Sequence, residues 1–275
     1  MSICVVIPAY NDSETIGRAI KSATADGTAD EVIIVDDGST DRTVQVVYEM
    51  GEPNVRVTSQ PNAGPAAARN AGAAEATAEF LVFLDADDQL LPGALTLFLD
   101  AHRTSRSPLV RSGAFRDFDP GSPVLAERSD FAYPRGAPLA GTFSVSRDLF
   151  RRVGGYDAEF RFGENSELLF RFMSRIGPRN TEYLNRPTVQ TFTRADRTSD
   201  FYDESRRMGA LRMIEVHGTA LRGDRSTLAN HHAIVAVHAR RGHDRKAAIK
   251  HSFLAVFHQP SRWRHWARIS RMLLP

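Results

Sequence analysis

Three carboxylates, Asp85, Asp87 and Asp88, fall within four positions directly after the apolar run FLVFL at 80–84. Carboxylates crowded against a buried strand are costly unless a cation compensates them. Asp85 and Asp87, one residue apart in a turn, can face a single ligand. Hard oxygen donors of this kind suit Mg²⁺ or Mn²⁺, and two carboxylates are enough when substrate phosphates complete the shell. The plainer reading is a cap for the helix expected after LLPGAL. A second acidic pair, Asp36 and Asp37, also ends an apolar run, where it could accept hydrogen bonds from a nucleotide base or ribose, or build a turn with Ser39. Arg69 lies one turn inside a helix expected to open at Pro65, a position suited to a diphosphate or to an ordinary surface ion pair.

The elements that must position these groups follow from the periodicity. ICVVI (3–7), EVIIVDD (31–37), NVRVTS (54–59) and FLVFL (80–84) read as strands. SETIGRAIKSAT (13–24), DRTVQVVYEM (41–50), PAAARNAGAAEA (65–76) and PGALTLFLDAHR (92–103) read as helices between and after them, with Asp12 or Ser13 and Ser39 or Thr40 as caps of the first two. Nearly all-apolar strands alternating with helices predict a parallel sheet covered on both faces. Ligands of such sheets lie beyond the carboxyl ends of the strands, which is where PAYND, DDGSTD, QPNAGP and DADD all fall. From about 105 to 140 the pattern dissolves into Pro, Gly, Ser and Arg and predicts a long irregular connection. A short strand at 141–146, a short helix, a stronger helix at 163–177 and two short strands, TEYLN and TVQTFT, follow. Everything after about 202 reads as helical, in three or four segments, the last beginning near Pro260.

Other chemistries are poorly served. There is no G-x-G-x-x-G or G-K-[ST] phosphate loop, no EF-hand spacing and no G-x-S-x-G elbow. The histidines at 231, 232, 238 and 243 lack zinc spacing and are expected to pack or to face solvent. One cysteine, Cys4, allows no disulfide framework. No apolar run approaches the ~20 residues of a membrane span, and the N-terminus is a poor signal peptide, so a cytoplasmic location is expected. The net charge of +2 conceals a division: residues 201–275 carry 14 Lys and Arg against 5 Asp and Glu, whereas the first 200 residues are net −7. Nothing in this pattern suggests a nucleic-acid partner.

VVIPAYNDSETIGRAIKSA, IIVDDGSTDRT, QPNAGPAAARNAG and FLVFLDADD resemble, in that order and spacing, the inverting family 2 glycosyltransferases of the GT-A fold. VGGYDAEFRFGENSELLFRF resembles the later family segment that ends in E-D-x-x-L. The resemblance covers about residues 1–200 and implies an α/β, Rossmann-like, mostly parallel sheet flanked by helices, with a helical C-terminal extension. It further implies a nucleotide-sugar-binding half at 1–115, an acceptor-binding and catalytic half at 116–200, and a basic extension at 201–275. By the same resemblance Pro8, Ala9 and Tyr10 line the base and ribose. Asp37, with Asp36, binds the base, most often uracil. Arg69 lies near the base and diphosphate, Asp85 touches the ribose or the metal shell, and Asp87 coordinates Mn²⁺ or Mg²⁺. The implied activity moves a sugar from a nucleotide, of the UDP class, to a saccharide, lipid-linked or protein acceptor.

Two positions depart from the family pattern. The usual general-base aspartate is Asn165 here, which cannot take a proton. At 100° per residue Leu168, Leu169, Phe172, Met173 and Ile176 define an inward face with Asn165 at its centre and Glu164 on its flank. Glu167 projects the opposite way, towards solvent, on this reckoning. Glu164 is therefore the expected base, with Asn165 positioning substrate. A non-catalytic nucleotide-sugar-binding or scaffold protein is the alternative that Asn165 raises. A nucleotidyltransferase is a weaker rival, since PAYNDSET lacks the Gly-rich basic loop it would need. Asp196, in FTRADRTS, stands where the family often carries a metal-binding histidine, and is either a hard ligand or a plain loop aspartate. The C-terminal extension is expected to pack on the catalytic domain. A sharper reading lays its Trp- and Arg-rich end on the inner face of the membrane.

Overall fold

A computed structural model describes residues 1–116, 119–160, 162–192 and 199–273. The strand–helix alternation begins at once: β1 (Ile3–Ala9), α1 (Ile16–Thr24), β2 (Glu31–Asp36), α2 (Thr43–Met50), β3 (Val55–Ser59), α3 (Pro65–Glu75) and β4 (Phe80–Phe83). Every residue of β1 and β4 is buried, as strands covered by helices on both faces must be. They run parallel in the order β3-β2-β1-β4. The register Ala9↔Asp36 and Asp36↔Ser59 brings the carboxyl ends of β1, β2 and β3 level along one rim. Helix α3 is built of small residues because it lies hard against the sheet: a Cβ on Gly72 would sit 2.5 Å from a Val6 methyl. Cys4 is enclosed in β1, and burial pushes its thiol up to about 12, so it is unreactive at neutral pH.

Past β4 come β5 (Gln89–Leu90), α4 (Ala94–Ser105), β6 (Leu109–Arg116), β7 (Asp119–Val124), β8 (Phe143–Ser146), α5 (Arg147–Arg152), α6 (Glu164–Ile176) and β9 (Glu182–Thr191). The sheet continues β4-β8-β6-β9-β5, with β7 paired to β6. This half is mixed: β8 is antiparallel to both neighbours, while β6 and β9 run parallel.

The expected irregular connection at 105–140 thus contains a central strand. β6 escaped the pattern because Arg111, fully buried, interrupts its apolar run. Its guanidinium donates to the Arg135 carbonyl at 2.8 Å and lies over the Tyr183 ring, which satisfies the charge locally. The two short strands expected near 182–193 are one strand, β9. The proposed side-chain caps of the first two helices are not formed: α1 and α2 begin later, after Thr15 and Arg42, with no side-chain cap bond at either.

The chain groups into two compact units. The first is Met1–Ala158 with Leu168–Arg194; the second is Glu159–Glu167 with Ala195–Pro275. The second contains α7 (Ser199–His217), α8 (Arg225–Arg241), α9 (Arg245–His258) and α10 (Trp263–Leu273). Asp224 and Asp244 cap α8 and α9, each accepting from a backbone N–H three residues on. Ala236, Ala239 and Ala248 let these two helices approach closely. His231, His232, His238 and His251 are buried in this unit, so the expectation that the histidines pack holds for them, while His243 is exposed.

Candidate active site

The rim loops of the first unit are knitted together by their own polar side chains. After β1 the chain turns through Asn11, whose φ of 54° is left-handed, a conformation asparagine tolerates. The Asn11 side-chain oxygen accepts from the Thr40 N–H at 2.8 Å, and its own N–H donates to the Ser39 hydroxyl at 3.0 Å. Asp12 accepts from the Tyr10 N–H, and its N–H donates to the Thr43 hydroxyl at 2.7 Å. The first two rim loops are therefore one structure. Pro8 and Ala9 are buried strand residues, and of the PAY triplet only Tyr10 exposes its side chain.

Asp36 and Asp37 are both buried at the end of β2. Asp36 accepts from the Ser39 N–H at 3.0 Å and makes the turn. Asp37 reaches across to the third loop, where Oδ1 accepts from Gln60 Nε2 (2.7 Å) and the Ala63 N–H (2.9 Å), and Oδ2 from the Gly64 N–H (2.8 Å). A carboxylate offers about four acceptor positions, so these three bonds leave roughly one for a ligand donor. The carboxylate holds in place the backbone that leads into α3.

Arg69, buried on α3, donates to Asp85 Oδ1 at 2.7 Å and lies 5.2 Å from the centre of the Tyr156 ring. It is thus no surface ion pair. The next residue, Asn70, clasps the backbone of Tyr156 in both directions: Nδ2 donates to its carbonyl at 2.9 Å and Oδ1 accepts from its N–H at 2.8 Å. That clasp ties the RN of α3 to the GGYD segment 86 residues later. Gly155 makes it possible, since its φ is 70° and a Cβ there would lie 2.5 Å from Asn70 Oδ1.

Asp85, Asp87 and Asp88 lie in the turn after β4, with ligand oxygens all within 4.8 Å of one another. None of them caps the following helix: α4 starts after Gly93 with no side-chain cap bond. Asp88 is the buried member. It accepts from the Phe192 N–H at 2.9 Å and so anchors the end of β9 to the turn. Burial, reinforced by the neighbouring Asp85 and Asp87, pushes its carboxyl up to about 8, against the opposing pull of the Phe192 N–H and Arg18. Asp85 and Asp87 are the partly exposed pair. The donor set, carboxylate oxygens only, fits a hard divalent cation.

Arg18 was not among the residues singled out from sequence. It donates from α1 to the Asp87 carbonyl and stacks 3.8 Å over the Phe192 ring, so it braces the acidic turn. An arginine within the helical stretch IGRAIKSA carries no local sign of this, because the turn it braces lies 69 residues away.

Glu164 and Asn165 start α6 and fall in the second unit. Asn165 is buried, as the helical face predicts, and Glu164 is partly buried. Glu167 corrects the expectation: it does not face solvent but is only 2% exposed, with Oε1 2.8 Å from His217 Nε2 of α7. Periodicity located the apolar face correctly, yet a second helix covers the opposite one. Within the same unit α7 also grips the segment before α6 through the Arg212–Glu159 ion pair and through Arg206 over the Phe162 ring. Asp196 lies outside the described residues.

Comparison with known proteins agrees with this architecture. Residues 4–124 match the model of the family described as "Glycosyl transferase family 2". The succinoglycan biosynthesis protein ExoO of Rhizobium meliloti is 40% identical over 183 residues, 64% of this chain and 52% of its own length. A chondroitin synthase of Pasteurella multocida is 41% identical over 127 residues, 45% of this chain but only 13% of that protein. This chain thus spans about half or less of the length of these curated relatives. The crystal structure of S. aureus TarS 1-349 superposes with a TM-score of 0.67 at 17% identity, covering 99% of this chain and 89% of that one. The same TarS fragment in complex with UDP gives 0.63 over the same coverage. Residues 4–124 thus match glycosyl transferase family 2, and the fold of the chain is that of the TarS fragment.

Proposed function

We propose that the chain is a metal-dependent, inverting glycosyltransferase that takes a sugar from a nucleotide donor of the UDP class and places it on a hydroxyl of a saccharide, lipid-linked or protein acceptor. The observation that carries this reading is the Asp85–Asp87 pair: two partly exposed carboxylates beside Arg69 that cap no helix. That the related TarS fragment was crystallised with UDP and with UDP-GlcNAc supports the nucleotide class. ExoO and the chondroitin synthase, by their names, support a place in polysaccharide assembly.

In this reading Asp87 and Asp85 hold Mn²⁺ or Mg²⁺, with Asp196 as a third ligand. The ion, when bound, neutralises charge on the departing diphosphate. Asp37 offers its remaining acceptor position to a base N–H, Asp36 fixes the turn beneath it, and Pro8, Ala9 and Tyr10 form the wall on the β1 side. Arg69 supplies positive charge at the diphosphate while keeping Asp85 in place. The acceptor oxygen attacks the anomeric carbon as the bond to the diphosphate oxygen breaks. The nucleoside diphosphate departs with that electron pair, and the hydroxyl proton passes to the Glu164 carboxylate. Asn165 positions the acceptor.

Asn165 also supports a second reading, a nucleotide-sugar-binding protein without turnover. Titration calorimetry of UDP and of GDP, with and without Mn²⁺, on the wild type and on Asp87→Ala tests the donor site. Metal-dependent UDP binding that vanishes in the variant is expected. Absence of metal-dependent nucleotide binding in the wild type overturns the donor-site reading. Binding without sugar transfer or donor hydrolysis selects the second reading.

A further inference from the structure

The last two helices carry an outward face that neither the fold nor the donor site uses. On α9, Ala248, His251, Ser252, Ala255 and Val256 are buried. The opposite stripe, Lys246, Lys250, Phe253 and Phe257, spaced four, three and four residues apart, is exposed. Phe253 is 51% and Phe257 68% exposed, large values for phenylalanine. Helix α10 repeats the arrangement: His265 and Ile269 are buried, whereas Trp263 is 70% and Trp266 53% exposed, with Arg264 exposed between them. Four large aromatic side chains within 14 residues of sequence therefore stand in solvent. Several large aromatic side chains exposed on neighbouring helices are a mark of an interaction site.

Two details indicate what that partner is. The Trp266 indole N–H is already satisfied by the Pro260 carbonyl at 2.8 Å. What the ring presents outward is apolar. Cations accompany the rings: Arg225 Nη2 donates to the Phe257 carbonyl at 2.9 Å with its guanidinium 5.8 Å from the ring centre, and Arg264 lies 5.9 Å from the Trp263 ring centre. Residues 245–275 contain seven Lys and Arg and no Asp or Glu. A protein partner or a second copy of this chain would have to offer a strongly acidic apolar surface. An anionic bilayer offers both chemistries at once, phosphates at the level of the cations and acyl chains beneath them for the rings. Among the described residues no helix is long and apolar enough to cross a membrane, so the contact is one of lying on the surface.

We propose that the exposed face of α9 and α10, centred on Phe257, Trp263 and Trp266 and flanked by Lys246, Lys250 and Arg264, is a docking surface for an anionic lipid bilayer. This inference does not depend on the catalytic reading. The chain contains only two tryptophans, both on this face, so intrinsic fluorescence reports on it directly. The full chain is mixed with vesicles of phosphatidylcholine alone or of phosphatidylcholine with phosphatidylglycerol, and both the emission maximum and co-sedimentation are followed. A blue shift and co-sedimentation with the mixed vesicles are expected, both lost when salt is raised to about 0.5 M, where charges are screened within ~5 Å. The triple variant Lys246→Glu, Lys250→Glu, Arg264→Glu keeps both tryptophans and all buried contacts. At about fivefold per cation, it lowers vesicle partitioning by at least about a hundredfold while its circular dichroism and nucleotide titration stay as in the wild type. No blue shift with phosphatidylglycerol vesicles, or an equal shift with phosphatidylcholine alone, overturns the proposal. Concentration-dependent dimerisation lost in Trp266→Ser, without vesicle binding, also overturns it and assigns the face to a second copy.

Discussion

Asp37→Asn separates the turn-holding role of this carboxylate from ligand binding, and its cost can be worked from the bonds it makes. The wild-type carboxylate accepts three hydrogen bonds, from Gln60, Ala63 and Gly64. An amide has one oxygen and one NH₂. If its oxygen takes the place of Oδ1, the bonds to Gln60 and Ala63 survive but lose their charge assistance, at about 1 kcal/mol each. The NH₂ then faces the Gly64 N–H, donor against donor, and that bond is lost, at about 2 kcal/mol. The opposite orientation loses two bonds instead of one and is worse. The sum is about 4 kcal/mol, a large share of the ~5–15 kcal/mol that stabilises a domain. For a unit of this size it corresponds to a Tm lower by about 10 °C. Differential scanning fluorimetry without nucleotide measures it, and calorimetric titration of UDP with Mn²⁺ on the same variant reads the ligand side. A Tm within about 2 °C of the wild type, together with lost UDP binding, refutes the reasoning, because Asp37 would then serve the ligand and not the loop.

Gly155→Ala forces a methyl into a left-handed backbone and against Asn70, costing about 1–2 kcal/mol of strain plus about 1 kcal/mol for each Asn70–Tyr156 bond it breaks. A urea midpoint indistinguishable from the wild type removes that clasp from the account. In the helical unit burial holds His231 and His232 down at about 4 and lowers His251 and His258, with cationic neighbours adding to the effect for the last three. These rings are neutral when folded, and an unfolded histidine takes its proton near 6.5. For His231 and His232 the contribution is therefore whole above about 6.5 and lost as pH falls towards about 4, and for His251 and His258 it falls in the same direction. Helical circular dichroism should melt at progressively lower temperature over that interval, and a flat profile rejects the burial argument. Asn165→Asp restores a carboxylate where the family places its base and should raise turnover without altering the affinity for UDP. Glu164→Gln should abolish transfer while leaving donor binding intact. Unchanged turnover in Glu164→Gln moves the proton acceptor elsewhere.

The sequence by itself determined the first half of the sheet and the rim. Three nearly all-apolar runs became buried parallel strands, whereas NVRVTS, with two apolar residues, became the edge strand β3, which has no buried residue; the polar clusters at the carboxyl ends still share one edge, so the rim position of Asp36, Asp37, Asp85 and Asp87 was legible in the sequence. The inward face of α6 was legible for the same reason, since periodicity is a local property of one element. What tertiary structure decided are the facts that depend on a second element arriving from far along the chain. β6 was hidden by Arg111, whose charge is satisfied by Arg135 and Tyr183. Glu167 was expected in solvent until α7 covered it. Asp88 became the anchor of β9, and Arg18 the brace of the acidic turn, only because Phe192 and Asp87 were carried to them by the fold. One strand or helix reveals its own buried face through its period, but never which distant group will come to rest against the other.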